Sequence, residues 1–153
     1  MASVLYSSNL ILSSSWWTGS SQTLVKSIVD EYNNLVVEEV SNGNSVNYLD
    51  LAIITVDGSR NSTPLGYYYY AVAKRLSLEY IVVENILSRY AELIKNNLLS
   101  KNIVVVYSIL KFSPRDSYKV SVKSSSRISS LRENVRVKLN PYWKYEIEKL
   151  PFR

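Results

Sequence analysis

The sequence predicts an α/β fold, with a mainly parallel sheet flanked by helices and a C-terminal antiparallel basic hairpin. Over residues 9–99, short apolar runs alternate with amphipathic stretches of helical spacing, as in α/β layers. Residues 51–57 are almost entirely apolar, which is typical of a strand covered on both faces. Residues 118–124 alternate strictly between apolar and polar side chains, which indicates a half-exposed antiparallel strand.

The individual elements follow from local patterns. Strands are predicted at the short apolar or β-branched runs, which are residues 9–13, 35–40, 51–57, 80–84, 103–110, 118–124 and 135–139. Helices are predicted where apolar residues recur at helical spacing, which are residues 23–32, 67–76, 86–98 and the aromatic tail 141–152. A hydroxyl-rich loop is expected at 14–21, and turns are expected at 42–44 and 113–117.

The second of these helices has a competing interpretation. Thr63 followed by Pro64 favours a helix start, because proline fits the first helical position. Four consecutive tyrosines at 67–70 instead favour a strand by propensity. The sequence alone therefore leaves residues 64–76 open between helix and strand.

Composition narrows the functional classes. A chain of 153 residues suits one compact domain or two very small lobes. It contains no Cys and no His, so disulfides, zinc-thiolate sites and imidazole general bases are excluded. No run approaches the ~18 apolar residues of a membrane span, and no basic region opens the chain. The sequence thus predicts a cytoplasmic protein without a membrane partner.

Charge is distributed unevenly along the chain. Residues 1–100 hold 6 basic and 9 acidic side chains, whereas residues 101–153 hold 12 and 4, which gives the net charge of +5. A domain division at about residue 100 follows, with a core at 1–100 and a basic β-rich extension at 101–153. Such a basic segment predicts contact with a polyanion or an acidic partner.

One acidic residue stands at a position typical of ligand sites. Asp57 ends the apolar run and is followed by Gly58, which permits a sharp turn. In α/β folds, ligands bind at the carboxyl ends of strands. Asp57 is therefore a candidate for a metal or phosphate site, and the simpler interpretation is an acid that caps the following turn.

Two motifs give the chain a resemblance to a known family. Residues 50–59 read Asp-Leu-Ala-Ile-Ile-Thr-Val-Asp-Gly-Ser, which resembles the third, metal-binding motif of the DHH phosphoesterase superfamily, to which the RecJ nucleases belong. Residues 118–124 resemble the small-basic-small motif of the DHH-associated domain, which binds nucleic acid in relatives. The resemblance implies a DHH-like core at 1–100 and a reduced associated domain at 101–153.

The catalytic ligands of that family are missing. The places equivalent to its first acidic motif fall at Ser14, Trp16 and Thr18, and its Asp-His-His motif falls at Glu84, Asn85 and Ile86. A two-metal site needs several anionic or imidazole ligands, and Asp57 with Glu84 is too few. The resemblance therefore implies a non-catalytic protein without metal or other cofactor, in which Asp57 and Glu84 are vestigial.

Inactive RecJ-like proteins occur in archaeal and eukaryotic DNA replication. The resemblance accordingly implies a nucleoid-associated replication factor that joins the GINS complex and the MCM ring in the CMG helicase and contacts single-stranded DNA. Cations and hydroxyls suited to phosphates are Lys119, Ser121, Lys123, Ser124, Arg127, Arg132, Arg136 and Lys138. Aromatic and apolar residues suited to a partner interface are Tyr142, Trp143, Tyr145, Leu150 and Phe152.

An alternative enzyme interpretation also follows from Asp57. The Val-Asp-Gly-Ser sequence at 56–59 resembles the first catalytic motif of NurA-type nucleases, which have an RNase H-like fold. A metal-dependent nuclease of that type would need residues 67–70 in a hairpin strand. It would also need a third acid after the strand at 103–110, where only Asp116 is found.

Overall fold

The computed structural model describes residues 4–57, 64–106, 109–114, 120–125, 128 and 135–141. Within these residues the fold is α+β, with four helices grouped beside two sheets. The elements in chain order are β1 (Val4–Tyr6), α1 (Ser7–Thr18), α2 (Gln22–Ser41), β2 (Val46–Tyr48), β3 (Ala52–Val56), α3 (Leu65–Leu76), α4 (Tyr80–Leu99), β4 (Ile103–Val106), β5 (Leu110–Pro114), β6 (Val120–Ser124) and β7 (Val135–Leu139).

The prediction of a mainly parallel sheet is wrong. One sheet has the strand order β1-β4-β5-β6, in which only β1 and β4 run parallel. The other has the order β2-β3-β7 and is antiparallel throughout. The helices follow one another in pairs, α1 with α2 and α3 with α4, instead of alternating with strands. The described part of the chain therefore lacks the repeated strand-helix-strand crossovers that build a parallel sheet.

Three predicted strands are helical. Residues 9–13 lie in α1, residues 35–40 lie in α2, and residues 80–84 lie in α4. A run of four to six apolar residues fits a buried helix as well as a strand, and only its flanks decide between them. In α4, for example, Val83 continues the buried face of Leu87, Tyr90 and Ile94 at helical spacing.

The helix predictions agree better with the structure. Residues 23–32 lie within α2 and residues 86–98 lie within α4, and the ambiguous segment is helical as α3. The strand predicted at 103–110 contains β4 and the first residue of β5, and these two strands pair in antiparallel orientation. Residues 113 and 114 of the turn predicted at 113–117 belong to β5, so that part of the prediction is wrong. Residues 115–117 lie outside the described residues, and so does all but the first residue of the predicted helix at 141–152.

The strand that carries Asp57 has a different setting from the one predicted. β3 is the central strand of the antiparallel sheet, between β2 and β7. Its burial alternates, with Ala52, Ile54 and Val56 buried and Ile53 and Thr55 half-buried. The strand is therefore covered by the core on one face only.

Both sheets combine strands from either side of residue 100, because β1 pairs with β4 and β3 pairs with β7. β6 and β7 also lie side by side, so the two sheets adjoin there. The helices pack together and cover the buried faces of the strands. None of the helices in the described part of the chain has the length and apolarity that a bilayer crossing requires.

A cluster of tyrosine rings fills the core between the helices and β2. The Tyr32 ring meets those of Tyr48 and Tyr68 edge to face, with centroids 5.3 and 6.4 Å apart. The Tyr32 hydroxyl accepts a hydrogen bond from the Leu49 amide at 3.0 Å and donates to the Asn47 carbonyl at 3.3 Å. It thereby supports the β2–β3 turn, where Leu49 and Asp50 have positive φ angles of 52° and 59°.

Candidate nucleic-acid interface

The exposed faces of three neighbouring strands carry the cations of the sheets. In β5 and β6, Lys111 and Lys123 are exposed and stand directly opposite each other in the antiparallel register. In β7, Arg136 and Lys138 are exposed, while Val135, Val137 and Leu139 are half-buried. Because alternate residues of a strand point to opposite faces, this pattern places all four cations on the side away from the core. We call these four residues the cation face.

Hydroxyl groups lie among the cations. Ser121 is opposite Ser113 in the β5–β6 pair and donates a hydrogen bond from its Oγ to the Ser113 carbonyl at 3.2 Å. Thr55 is opposite Arg136 in the β3–β7 pair. Serine and threonine hydroxyls commonly accompany lysine and arginine at phosphate contacts. The cation face therefore has the chemical composition of a backbone-binding surface.

The predicted binding residues divide into three groups. Ser121, Lys123, Arg136 and Lys138 lie on exposed faces of the strands, as their alternation indicates. Ser124 is paired with the buried Leu110 and lies on the side of the sheet that faces the core. Three predicted cations, Lys119, Arg127 and Arg132, lie outside the described residues, and so do the predicted interface residues of the tail.

Lys111 was not among the predicted binding residues. The predicted strand ended at residue 110, so Lys111 was not assigned to a strand and its exposed position could not be predicted from alternation. The alternation of buried Leu110 and Phe112 with exposed Lys111 and half-buried Ser113 is the signal that identifies it. Continuing the strand by four residues would have placed Lys111 opposite Lys123.

Asp57 ends β3 as predicted, and its carboxylate meets a cation of the same sheet. Its Oδ1 accepts a hydrogen bond from Arg136 Nη2 at 2.8 Å. The two side chains are 48% and 76% exposed, so solvent screens the pair strongly. The arrangement orients Arg136 along the exposed face of the sheet.

Glu84 has a different environment. It lies in α4 beside Tyr80, where desolvation and the charge of Glu84 raise the pKa of the Tyr80 phenol. Among the residues that the structure describes, no group of three or more carboxylates could hold a metal ion. The arrangement in this part of the chain consequently offers ion pairing and phosphate binding as its chemistry.

Comparisons of the chain with protein-family models, with characterised proteins and with solved structures find no match.

Proposed function

We propose that this protein binds the phosphate backbone of single-stranded DNA through the cation face and acts without catalysis. The observation that carries the proposal is the direct opposition of Lys111 and Lys123 on an exposed sheet surface. Like charges at directly opposite positions destabilise an antiparallel pair. A polyanion bound across them removes this repulsion and releases its own condensed counterions.

The availability of these cations supports the proposal further. Among the described residues, Lys111, Lys123 and Lys138 have no carboxylate within ion-pair distance. Two cations of the helices differ, since Lys26 pairs with Asp30 and Arg75 pairs with both Glu31 and Glu38. The three lysines are thus positioned to neutralise an external anion.

A single strand is favoured over a duplex by an aromatic side chain near the lysines. Tyr6 is exposed in β1 and lies on the same sheet face as Lys111, with Val105 of β4 between them. Proteins that bind single strands combine cations for the backbone with aromatic rings on which bases stack. The non-catalytic role rests on the family resemblance, because Asp57 and Glu84 are too few ligands for the two-metal site of that family.

The partners named by the family resemblance form a narrower proposal. Association with GINS and MCM rests on the motifs at 50–59 and 118–124, and the cation face would then hold the strand that the helicase exposes. Size-exclusion chromatography of the protein with the cognate GINS complex tests this association. Co-elution at micromolar concentration supports it, and separate elution contradicts it while leaving DNA binding intact.

The alternative of an RNase H-like nuclease required a hairpin strand at residues 67–70. These residues lie in the first half of α3, with Tyr68 and Tyr69 buried in the core. This observation favours the binding role over the nuclease. Incubation of the protein with labelled single-stranded DNA and Mn²⁺ tests the remaining distinction, since cleavage abolished by Asp57→Ala would establish the enzyme.

The salt dependence of binding tests the main proposal. Fluorescence anisotropy with a labelled thymidine oligonucleotide, repeated at several salt concentrations, gives the slope of log K against log salt. Each neutralised phosphate of a single strand contributes about −0.7 to that slope. Replacing both lysines, Lys111→Ala with Lys123→Ala, is expected to make the slope less negative by about 1.4.

A matched control removes the same charge elsewhere. Lys74 in α3 and Lys101 before β4 are both exposed and lie outside the sheets. The variant with Lys74→Ala and Lys101→Ala should retain the slope of the original protein. Equal slopes in both double variants would contradict the assignment of binding to the cation face.

A further inference from the structure

A cavity of about 690 Å³ opens beside the exposed face of the four-stranded sheet. It lies where the parallel strands β1 and β4 end, between the first turn of α1 and one side of α2. Its apolar wall consists of Ile11, Val105 and Ile109, and the Tyr6 side chain, which is 56% exposed, stands at its border. Polar and charged side chains of α1 and α2 form the rest of the lining. The volume lies within the range of small-molecule sites.

The cavity is connected to the cation face by a single row of paired residues. Tyr6 is paired with Val105, Val105 with Lys111, and Lys111 with Lys123. Neighbouring strands are about 4.8 Å apart, so Tyr6 and Lys123 are separated by about 14 Å along this row. A strand with the stacked spacing of double-helical DNA advances about 3.4 Å per nucleotide, so about four nucleotides at that spacing cover the distance, and fewer do so when the strand is extended.

One polar side chain at the cavity has a donor atom without an acceptor among the described residues. Asn33 of α2 is only 9% exposed and lines the cavity. Its Oδ1 accepts a hydrogen bond from the buried Tyr48 hydroxyl at 2.5 Å, which fixes the orientation of the amide. Within the described part of the chain, its Nδ2 has no acceptor. The Asn33 side chain lines the cavity, so this donor is available to a ligand there.

The charges around the cavity indicate a neutral ligand group. Lys26 and Asp30 both line it and pair with each other at 2.6 Å, so they offset one another at its border. A phosphate would find an unpaired cation at Lys111 and Lys123 instead. A flat heterocycle satisfies the three features together, because it stacks on Tyr6, contacts the apolar wall and presents ring acceptors to Asn33.

We infer that the cavity receives an unpaired nucleobase of a strand whose phosphates lie on Lys111 and Lys123. This inference rests on the proposed function and adds a base subsite to it. Tyr6 provides the stacking surface, and the Asn33 amide donates to a carbonyl or ring nitrogen of the base. Binding by the protein then depends on the bases as well as on the backbone charge.

Abasic oligonucleotides separate the two contributions, because they keep the phosphates and lack the bases. Anisotropy titrations compare a thymidine strand with an abasic strand of equal length for the original protein, Tyr6→Ala and Tyr6→Phe. Tyr6→Ala should bind the thymidine strand about 5- to 100-fold more weakly and the abasic strand equally well. Tyr6→Phe keeps the aromatic ring and should bind like the original protein.

A second variant tests the amide. Asn33→Asp keeps an acceptor for the Tyr48 hydroxyl and removes the donor, so it should weaken thymidine binding more than abasic binding. The inference is overturned if Tyr6→Ala binds the thymidine strand normally, or if the original protein does not distinguish the two strands. The lysine double variant shows whether the backbone proposal holds independently. If this variant binds both the thymidine and the abasic strand more weakly, the cation face binds the backbone even when the base subsite is wrong.

Discussion

The buried tyrosines and the exposed lysines are two sets of polar side chains that differ in burial and in their partners. Tyr32, Tyr48 and Tyr90 are completely buried, whereas Lys111 and Lys123 project into solvent. The hydroxyls of Tyr32 and Tyr48 make hydrogen bonds within the protein, and the two lysines have no ion-pair partner among the described residues. The hydroxyls of Tyr32 and Tyr48 are therefore satisfied within the fold, and Lys111 and Lys123 remain available to a ligand.

Charge shows the same contrast between helices and strands. The four helices carry five basic and six acidic side chains, a net charge of −1, and several of them form ion pairs with each other. The seven strands that the structure describes carry four basic side chains and no acidic one. The strand cations therefore contribute to the field outside the molecule more than to its stability. Stability and binding should respond to different substitutions.

The largest expected effect is on stability at alkaline pH. Burial raises the pKa of Tyr90 to about 12 and raises the pKa of Tyr32 and Tyr48 well above the ordinary value of 10.0. Below pH 10 these phenols are neutral in both states. Above pH 10 the unfolded chain loses protons first, so the free energy of unfolding falls as pH rises toward the folded-state pKa values.

Each such tyrosine lowers the free energy of unfolding by about 1.4 kcal/mol per pH unit in that range. Urea unfolding between pH 8 and pH 11.5 measures the decline. Tyr90→Phe removes one titrating group, so the slope of the free energy of unfolding against pH should become less steep by about 1.4 kcal/mol per pH unit. Tyr67→Phe is the control, because Tyr67 is exposed. An unchanged stability up to pH 11.5 would contradict the role given to the buried phenols.

Tyr32→Phe should have the next largest effect. The substitution keeps the ring and removes the acceptor of the Leu49 amide, which is buried in the β2–β3 turn. An unsatisfied buried donor costs about 1–3 kcal/mol. Thermal and urea unfolding measure the loss, and affinity for single-stranded DNA should not change. A parallel loss of affinity in the folded variant would show that core and cation face are not independent.

Asp57→Asn should have the smallest effect. The ion pair with Arg136 is largely exposed, and such pairs contribute about 0–1 kcal/mol. Loss of the carboxylate should leave the free energy of unfolding nearly unchanged. It also frees Arg136 for a phosphate, so DNA affinity should rise slightly at low salt. A strong fall in affinity would instead indicate that Asp57 itself binds the ligand, through a metal ion.

The sequence-based predictions succeeded where an element has one exposed and one buried side, and failed where it does not. The amphipathic part of α4 and the alternating strands β6 and β7 were predicted because one side of each is exposed, which leaves a period in the sequence. The runs at 9–13 and 80–84 have no such period over five residues, so helix and strand could not be distinguished. The parallel topology was inferred from those runs and was wrong for the same reason.

The candidate site was predictable to a similar degree. Lys123 was identified because alternation places it on an exposed face, and Arg136 and Lys138 were identified as basic residues that follow it closely in the sequence. The cavity was not predictable, because Tyr6, Asn33 and Val105 come from three separate elements. The hydrogen bond between Tyr48 and Asn33, which orients the amide, depends on the packing of β2 against α2. Sequence patterns contain no information on such contacts between distant elements.

The measurement that tests the central claim most directly is amide chemical-shift mapping by NMR during titration with a thymidine oligonucleotide. The proposed function predicts that the largest shift changes occur in β5, β6 and β7, around Lys111, Lys123 and Lys138. It also predicts small changes in α3, whose exposed cations serve as the internal reference. Changes confined to the helices, for example around the exposed Trp16 of α1, would contradict the cation face as the binding surface.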